Sequence, residues 1–203
     1  HPVEIEYRHN TPVSGGRKSY YKRWEEHAAE VVEELLHDSR SPLNLLIFLS
    51  GIGEIRKLEQ ILKERGVNRL AKILPLAGTL SASAQGEVFL LDGQRKVVLA
   101  TNVAETSLTL PDISGVVDLG QAKIAAFAPW SGMPSLELQR ISKASAIQRA
   151  GRAGRTGPGV VYRLYTQTEF AARPDFTAPD IERVELSNFV LDTLSLGFSM
   201  ESM

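Results

Sequence analysis

Short, wholly apolar runs recur along this chain with helical patterns between them, and that alternation restricts the fold more than any other feature. Leu45-Leu46-Ile47-Phe48-Leu49 and Val97-Val98-Leu99-Ala100 have no polar face. Runs of that kind suit strands covered on both sides, as in a parallel sheet. Around them Trp24, Ala28, Val31, Val32, Leu35 and Leu36 fall at helical spacing, ending near His37. Ile55, Leu58, Ile61 and Leu62 do so again, with Gly66 placed to cap the helix. Val3–Tyr7 alternates as a half-buried strand, and Ala71–Leu76, Lys96–Ala100, Ile113–Val117 and Val160–Tyr165 read as further strands. Ser81–Leu91 and Ser142–Ala150 read as helices, and Ala104–Thr106 as a short turn or helix. Strands alternating with helices predict an α/β fold, a doubly wound parallel sheet.

Three stretches fall outside that rhythm. Residues 10–18, with Pro12, Ser14, Gly15 and Gly16, read as a loop. Lys123–Phe127 and Leu136–Ile141 flank Pro129, Gly132 and Pro134, which predicts a long β-hairpin standing off the sheet. Arg173-Pro174-Asp175-Phe176-Thr177-Ala178-Pro179 reads as a linker. Glu185–Leu196 then predicts an amphipathic helix with Leu186, Phe189, Val190 and Leu194 inward. The chain therefore divides into a domain over 1–172 and a linker with the first helix of a further domain over 173–203. With 203 residues it can bury one good core and part of a second. The absence of cysteine excludes disulfides and thiolate metal sites, and none of the four scattered histidines is assigned to a metal. No apolar run reaches membrane-spanning length, so the chain reads as soluble, cytoplasmic and monomeric. Its first residue is not methionine, which points to a piece of a longer protein.

The net charge is only −1, yet from Asp118 to Tyr165 seven cations (Lys123, Arg140, Lys143, Arg149, Arg152, Arg155, Arg163) face two acids, Asp118 and Glu137. That local excess predicts an anionic partner. At its centre lies Gln148-Arg149-Ala150-Gly151-Arg152-Ala153-Gly154-Arg155. Three arginines at three-residue spacing, separated by small residues, predict a dense cationic surface on which Arg152 and Arg155 converge on one anion. The glycines would let a phosphate chain approach the backbone, and the guanidinium fork suits phosphoryl oxygens. Two further polar clusters follow strand ends, Ser50-Gly51 after Leu49 and Thr101-Asn102 after Ala100, where ligands collect in open α/β sheets. Such residues suit a phosphodiester backbone, and equally a hydroxyl-capped turn.

In this order, Leu46–Gly51, Ala100–Thr109 and Gln148–Arg155 resemble motifs IV, V and VI of the DEAH-box (DEAH/RHA) helicases. Arg140–Ser145 and Thr156–Gly159 leading into Tyr162–Tyr165 are similar to that family as well, and Gly53-Glu54-Ile55-Arg56 leans towards its bacterial branch. The resemblance runs from about Val3 to about Phe198. It implies the second RecA-like lobe of an ATP-dependent RNA helicase. Arg152 and Arg155 would be arginine fingers reaching the β- and γ-phosphates of ATP, with Gln148 positioning the γ-phosphate or the attacking water. Ser107 and Thr109 would face the nucleotide, and Phe89 would stack on its base unless it is a core phenylalanine. Ser50, Gly51, Thr101 and Asn102 would hold single-stranded or structured RNA. The hairpin would bracket or separate strands, with Trp130 near its tip either stacked on a base or packed beneath. The helix after the linker would open a winged-helix domain.

The sequence departs from the family in two places. Leu108-Thr109-Leu110-Pro111-Asp112 puts proline where the family carries an acid, with Asp112 displaced by one. No Gly-x-x-x-x-Gly-Lys-Ser/Thr loop and no Asp-Glu-Ala-His occur. The elements that hold triphosphate and Mg²⁺ are thus expected on a partner, the N-terminal RecA-like lobe of the same protein, and this chain alone should not hydrolyse ATP. The alternative is a non-catalytic RNA-binding or scaffold lobe. A Rossmann enzyme is excluded, because no strand leads into Gly-x-Gly-x-x-Gly.

Overall fold

The computed structural model describes residues 1–10, 13–15, 18–20, 22–38, 44–78, 86–106, 110, 112–128, 133–179 and 195. Six parallel strands form its centre: β1 (Val3–Tyr7), β4 (Leu45–Phe48), β5 (Lys72–Leu76), β6 (Lys96–Ala100), β7 (Gly115–Asp118) and β10 (Gly159–Arg163). They lie side by side in the order β1-β10-β7-β4-β6-β5. Every residue of β4, β6 and β7 is buried, including Lys96 at the start of β6 and Asp118 at the end of β7. The two edge strands differ. β1 leaves Ile5 exposed, and β5 carries Pro75, whose missing N–H is tolerated on a strand paired on one side only.

Helices cover both faces. α1 (Trp24–His37) and α2 (Ile52–Glu64) pack against Leu45, Ile47, Leu49, Val97, Leu99 and Val117. Gly66 ends the α2 region at φ +77°, a left-handed conformation that glycine adopts without strain. On the other face, α3 (Val103–Thr106), α4 (Lys143–Ala150) and a 3-10 turn at Glu87–Phe89 cover Leu46, Phe48, Val98, Val116 and Val161. A last helix, α5 (Gln167–Ala171), begins with a capping box in which Thr166 and Glu169 satisfy each other's backbone N–H groups. Two antiparallel hairpins stand beside the sheet: β2 (Val13–Gly15) with β3 (Lys18–Tyr20), and β8 (Gln121–Ala128) with β9 (Met133–Arg140).

The doubly wound sheet and the long hairpin are as the sequence implied, and three segments differ. Residues 10–18 contain a hairpin strand and the start of its partner rather than a plain loop; three-residue strands are too short to show a period. The helix over Ser81–Leu91 does not extend to its expected end. Gly86 is helical, a 3-10 turn follows at Glu87–Phe89, and Leu90 is already extended. An Asp-Gly turn competes at this point: Gly93 sits at φ +73°, and Asp92 Oδ1 accepts from the Gln94 N–H at 3.2 Å. β7 begins at Gly115 rather than Ile113, because Asp112 turns the backbone at φ 58° just before it. The first part of the expected Ser81 helix and the helix over Glu185–Leu196, Ser195 apart, lie outside the described residues.

Candidate functional site

The segment from Gln148 to Arg155 leaves α4 and turns back towards β10, and its arginines part company. Arg149 is fully buried. Its Nη1 donates to Asp118 Oδ1 at 2.7 Å and its Nε to Glu105 Oε2 at 3.1 Å. The guanidinium also lies 4.7 Å over the Phe48 ring. Burial alone would depress its pKa, but the charges of Asp118 and Glu105 outweigh that and raise it. The three-arginine cationic surface expected from spacing is therefore corrected: Arg149 is an internal strut. Arg163 is buried too, stacked 4.1 Å over Phe170 and donating to the Tyr7 hydroxyl at 2.9 Å. Two of the seven cations counted in this region thus face inward.

Arg152 and Arg155 do come together. With Gln148, Gly151 and Glu105 they line an open cleft of about 330 Å³. Gln148 and Arg155 are exposed, whereas Arg152 retains 6% of its surface and donates to the Glu105 carbonyl. Burial first, and the neighbouring charge of Arg155 second, hold Arg152 below the ordinary arginine value, with Glu105 opposing. It remains protonated at neutral pH. Two like charges along one cleft wall favour an anion between them. The interleaved small residues mostly serve packing. Ala150 and Ala153 belong to the core, and a Cβ on Gly154 would meet Val3 at 2.6 Å.

Glu105 connects these parts. Its carboxylate accepts from Arg149 and from the Ser145 hydroxyl, while its carbonyl accepts from Arg152. α3 therefore fixes the inward arginine and the cleft arginine at once. Asp118, at the end of β7, accepts in addition from the Tyr165 hydroxyl at 3.0 Å and the Gly120 N–H at 2.9 Å. Burial, then the charge of Asp118, pushes the Tyr165 phenol well above its usual range.

The polar strand-end residues form a second group. Phe48 and Ala100 are register partners on adjacent strands, so Ser50-Gly51 and Thr101-Asn102 emerge side by side. Ser50 lines a cavity of about 240 Å³ with Trp24, Glu54 and Leu138 of the hairpin. Asn102 lines another of about 300 Å³ with Glu105, Lys123, Ser145 and Thr177. Lys123 bridges from β8 to Glu54 of α2 at 3.1 Å, close above Gly51, where a Cβ would meet both heads at 2.8 Å.

Phe89 is half-buried against the core and is not among the residues lining the arginine cleft. Ser107, Thr109, Pro111 and Trp130 lie outside the described residues. Asp112 is exposed and lines a separate cavity of about 360 Å³ with Asn44, Ser114, Thr156 and Gly157. Among the described residues no group of three His, Cys, Asp or Glu side chains could hold a metal ion, and no helix is long and apolar enough to cross a membrane. The sequence reading assigned no part to Glu105, Tyr165 or Arg173. The signal available for the first was its place between two polar segments; the others carried none.

A six-stranded parallel sheet with helices on both faces is the architecture of a RecA-like lobe. Residues 27–157 match the family described as the helicase conserved C-terminal domain. The chain is 40% identical over 197 residues to the ATP-dependent RNA helicase HrpA of Escherichia coli, covering 97% of this chain and 15% of that protein. It is 44% identical over 169 residues to the pre-mRNA-splicing factor ATP-dependent RNA helicase DEAH10 of Arabidopsis thaliana, covering 80% and 24%. A crystal structure of the Escherichia coli DEAH/RHA helicase HrpB superposes with a TM-score of 0.85 at 36% identity, covering 98% of this chain and 24% of that one. The chain thus belongs to the helicase C-terminal domain family, as the C-terminal lobe of the DEAH/RHA type. It spans between about a seventh and a quarter of the relatives it matches. Bacterial and plant relatives match at similar identity.

Proposed function

We propose that this lobe works as the second half of an ATP-dependent RNA helicase, completing an ATP site and gripping single-stranded RNA. The observation that carries the reading is the separation of two clefts by α3: Arg152, Arg155 and Gln148 on one side, and Asn102 beside the hairpin on the other, with Glu105 lining both. Arg152 and Arg155 donate to the β- and γ-phosphoryl oxygens and neutralise charge that builds during phosphoryl transfer. Gln148 orients the γ-phosphate or the attacking water. Ser107 and Thr109 face the nucleotide. Phe89 offers its open side to the base, a contact that tolerates any nucleobase. When bound, Mg²⁺ supplies further charge neutralisation at the phosphates, held by the N-terminal RecA-like lobe. Ser50, Gly51, Thr101 and Asn102 bond the RNA backbone and so read strand shape rather than sequence. Closure of the two lobes on ATP and reopening after hydrolysis would shift that grip along the strand.

The test joins this lobe to the Walker A- and DEAH-bearing lobe and measures RNA-stimulated ATP hydrolysis. The 203-residue chain alone should give none. Arg152→Ala in the joined protein should abolish the stimulated rate. An unchanged rate would instead favour a non-catalytic RNA-binding lobe.

A further inference from the structure

α4 is held at its start by residues 174–177. The N–H groups of Lys143 and Ala144, which have no partner within the helix, donate to the carbonyls of Pro174 at 2.9 Å and Asp175 at 3.0 Å. Lys143 Nζ pairs with Asp175 Oδ1 at 2.8 Å, and the Thr177 hydroxyl donates to Ser142 Oγ at 3.2 Å. One residue earlier, Arg173 passes beneath the hairpin. Its Nη1 donates to Gly120 O and to Ile141 O, both at 2.8 Å, and so ties together the residues before β8 and after β9. The guanidinium stacks 4.2 Å over Tyr165, whose hydroxyl holds Asp118, which in turn holds Arg149 of α4.

Arg173 is an expensive choice for packing alone. It retains 6% of its surface, has no carboxylate at ion-pair distance among the described residues, and leaves its buried Nε without a partner. Burial lowers its pKa. An apolar side chain of similar length would fill the space without that desolvation cost. What methionine could not do is bond both ends of the hairpin at once.

We infer that Arg173 is a positioning residue. It anchors residues 173–177 as a strap that sets α4, and through it Gln148, Arg152 and Arg155, in register with the hairpin. The inference rests on the proposed nucleotide role of Arg152 and Arg155.

The experiment compares Arg173→Met with Arg155→Ala in the full-length protein, by ATPase kinetics and amide hydrogen exchange. Arg173→Met should lower the RNA-stimulated kcat about tenfold or more with little change in KM for ATP, since small misplacement of a catalytic group costs rate rather than affinity. The amides of Lys143 and Ala144 should exchange faster while those of Val98 and Val116 do not. Faster exchange at the cap with kcat retained overturns the inference, and so does a general rise that reaches β6 and β7, which marks a role in stability only. If Arg155→Ala also leaves kcat unchanged, the proposed function fails as well. If Arg155→Ala alone abolishes activity, the strap alone is refuted.

Discussion

Arg149 and Arg155 stand in the same eight-residue segment, alike in spacing and neighbours, and meet opposite surroundings. Arg149 is fully buried between two carboxylates, whereas Arg155 is exposed on the wall of an open cleft. Arg152 lies between these extremes, mostly covered yet lining the cleft. Removing a buried ion-pair partner strands charge in low dielectric, so the inward arginine should be measured in stability. Removing the exposed one strands no buried charge and should be measured chiefly in rate. A motif written as a string therefore mixes two kinds of residue, and what each touches separates them.

The contrast can be broken from either side. Arg155→Ala in the joined, two-lobed protein should lower RNA-stimulated ATP turnover by roughly 10³-fold or more with an unchanged unfolding midpoint. A comparable loss of stability would erase the distinction. Arg149→Ala should cost about 3–5 kcal/mol in urea unfolding, because Asp118 and Glu105 lose their common partner. Arg149→Met with Glu105→Gln and Asp118→Asn should recover much of that cost. Asn102→Ala should weaken binding of single-stranded RNA severalfold, roughly one hydrogen bond of 0.5–1.5 kcal/mol. The dependence on salt should stay the same because no cation is removed. The smallest effect is expected at Glu25, buried at the start of α1. Its burial would raise its pKa, but Lys57, its own backbone N–H and Arg23 outweigh that and lower it. A lowered folded pKa gives stability that is fully present above the unfolded value of about 4.3 and lost as pH falls through the folded one. Glu25→Gln should lower Tm slightly in the neutral region and leave the acid end unmoved, so that the acid limb of Tm against pH flattens.

Most of the sheet was legible because its central strands are apolar on both faces, a pattern that only burial between two helical layers explains. The hairpin was legible from prolines and glycine between two extended runs. The 3-10 turn at Glu87–Phe89 was not, because the Asp92-Gly93 turn ends the helical pattern by a local bond rather than by a break in hydrophobicity. At the candidate site, spacing placed Arg152 beside Arg155, and strand ends located Ser50-Gly51 and Thr101-Asn102, whose adjacency came only with the pairing of β4 and β6. Spacing could not tell that Arg149 turns inward, since that depends on Asp118, thirty-one residues away. Nor could it reveal Arg173, whose partners are two backbone carbonyls that carry no sequence signal.

The most direct measurement compares how the joined protein and its Arg155→Ala variant bind ADP and ADP–aluminium fluoride, the second resembling the phosphoryl group in flight. An arginine that acts on developing charge should tighten only the second ligand, so the variant should bind ADP normally and ADP–aluminium fluoride about a hundredfold or more weaker. Equal affinity of both proteins for both ligands would contradict the assignment of this cleft to the triphosphate.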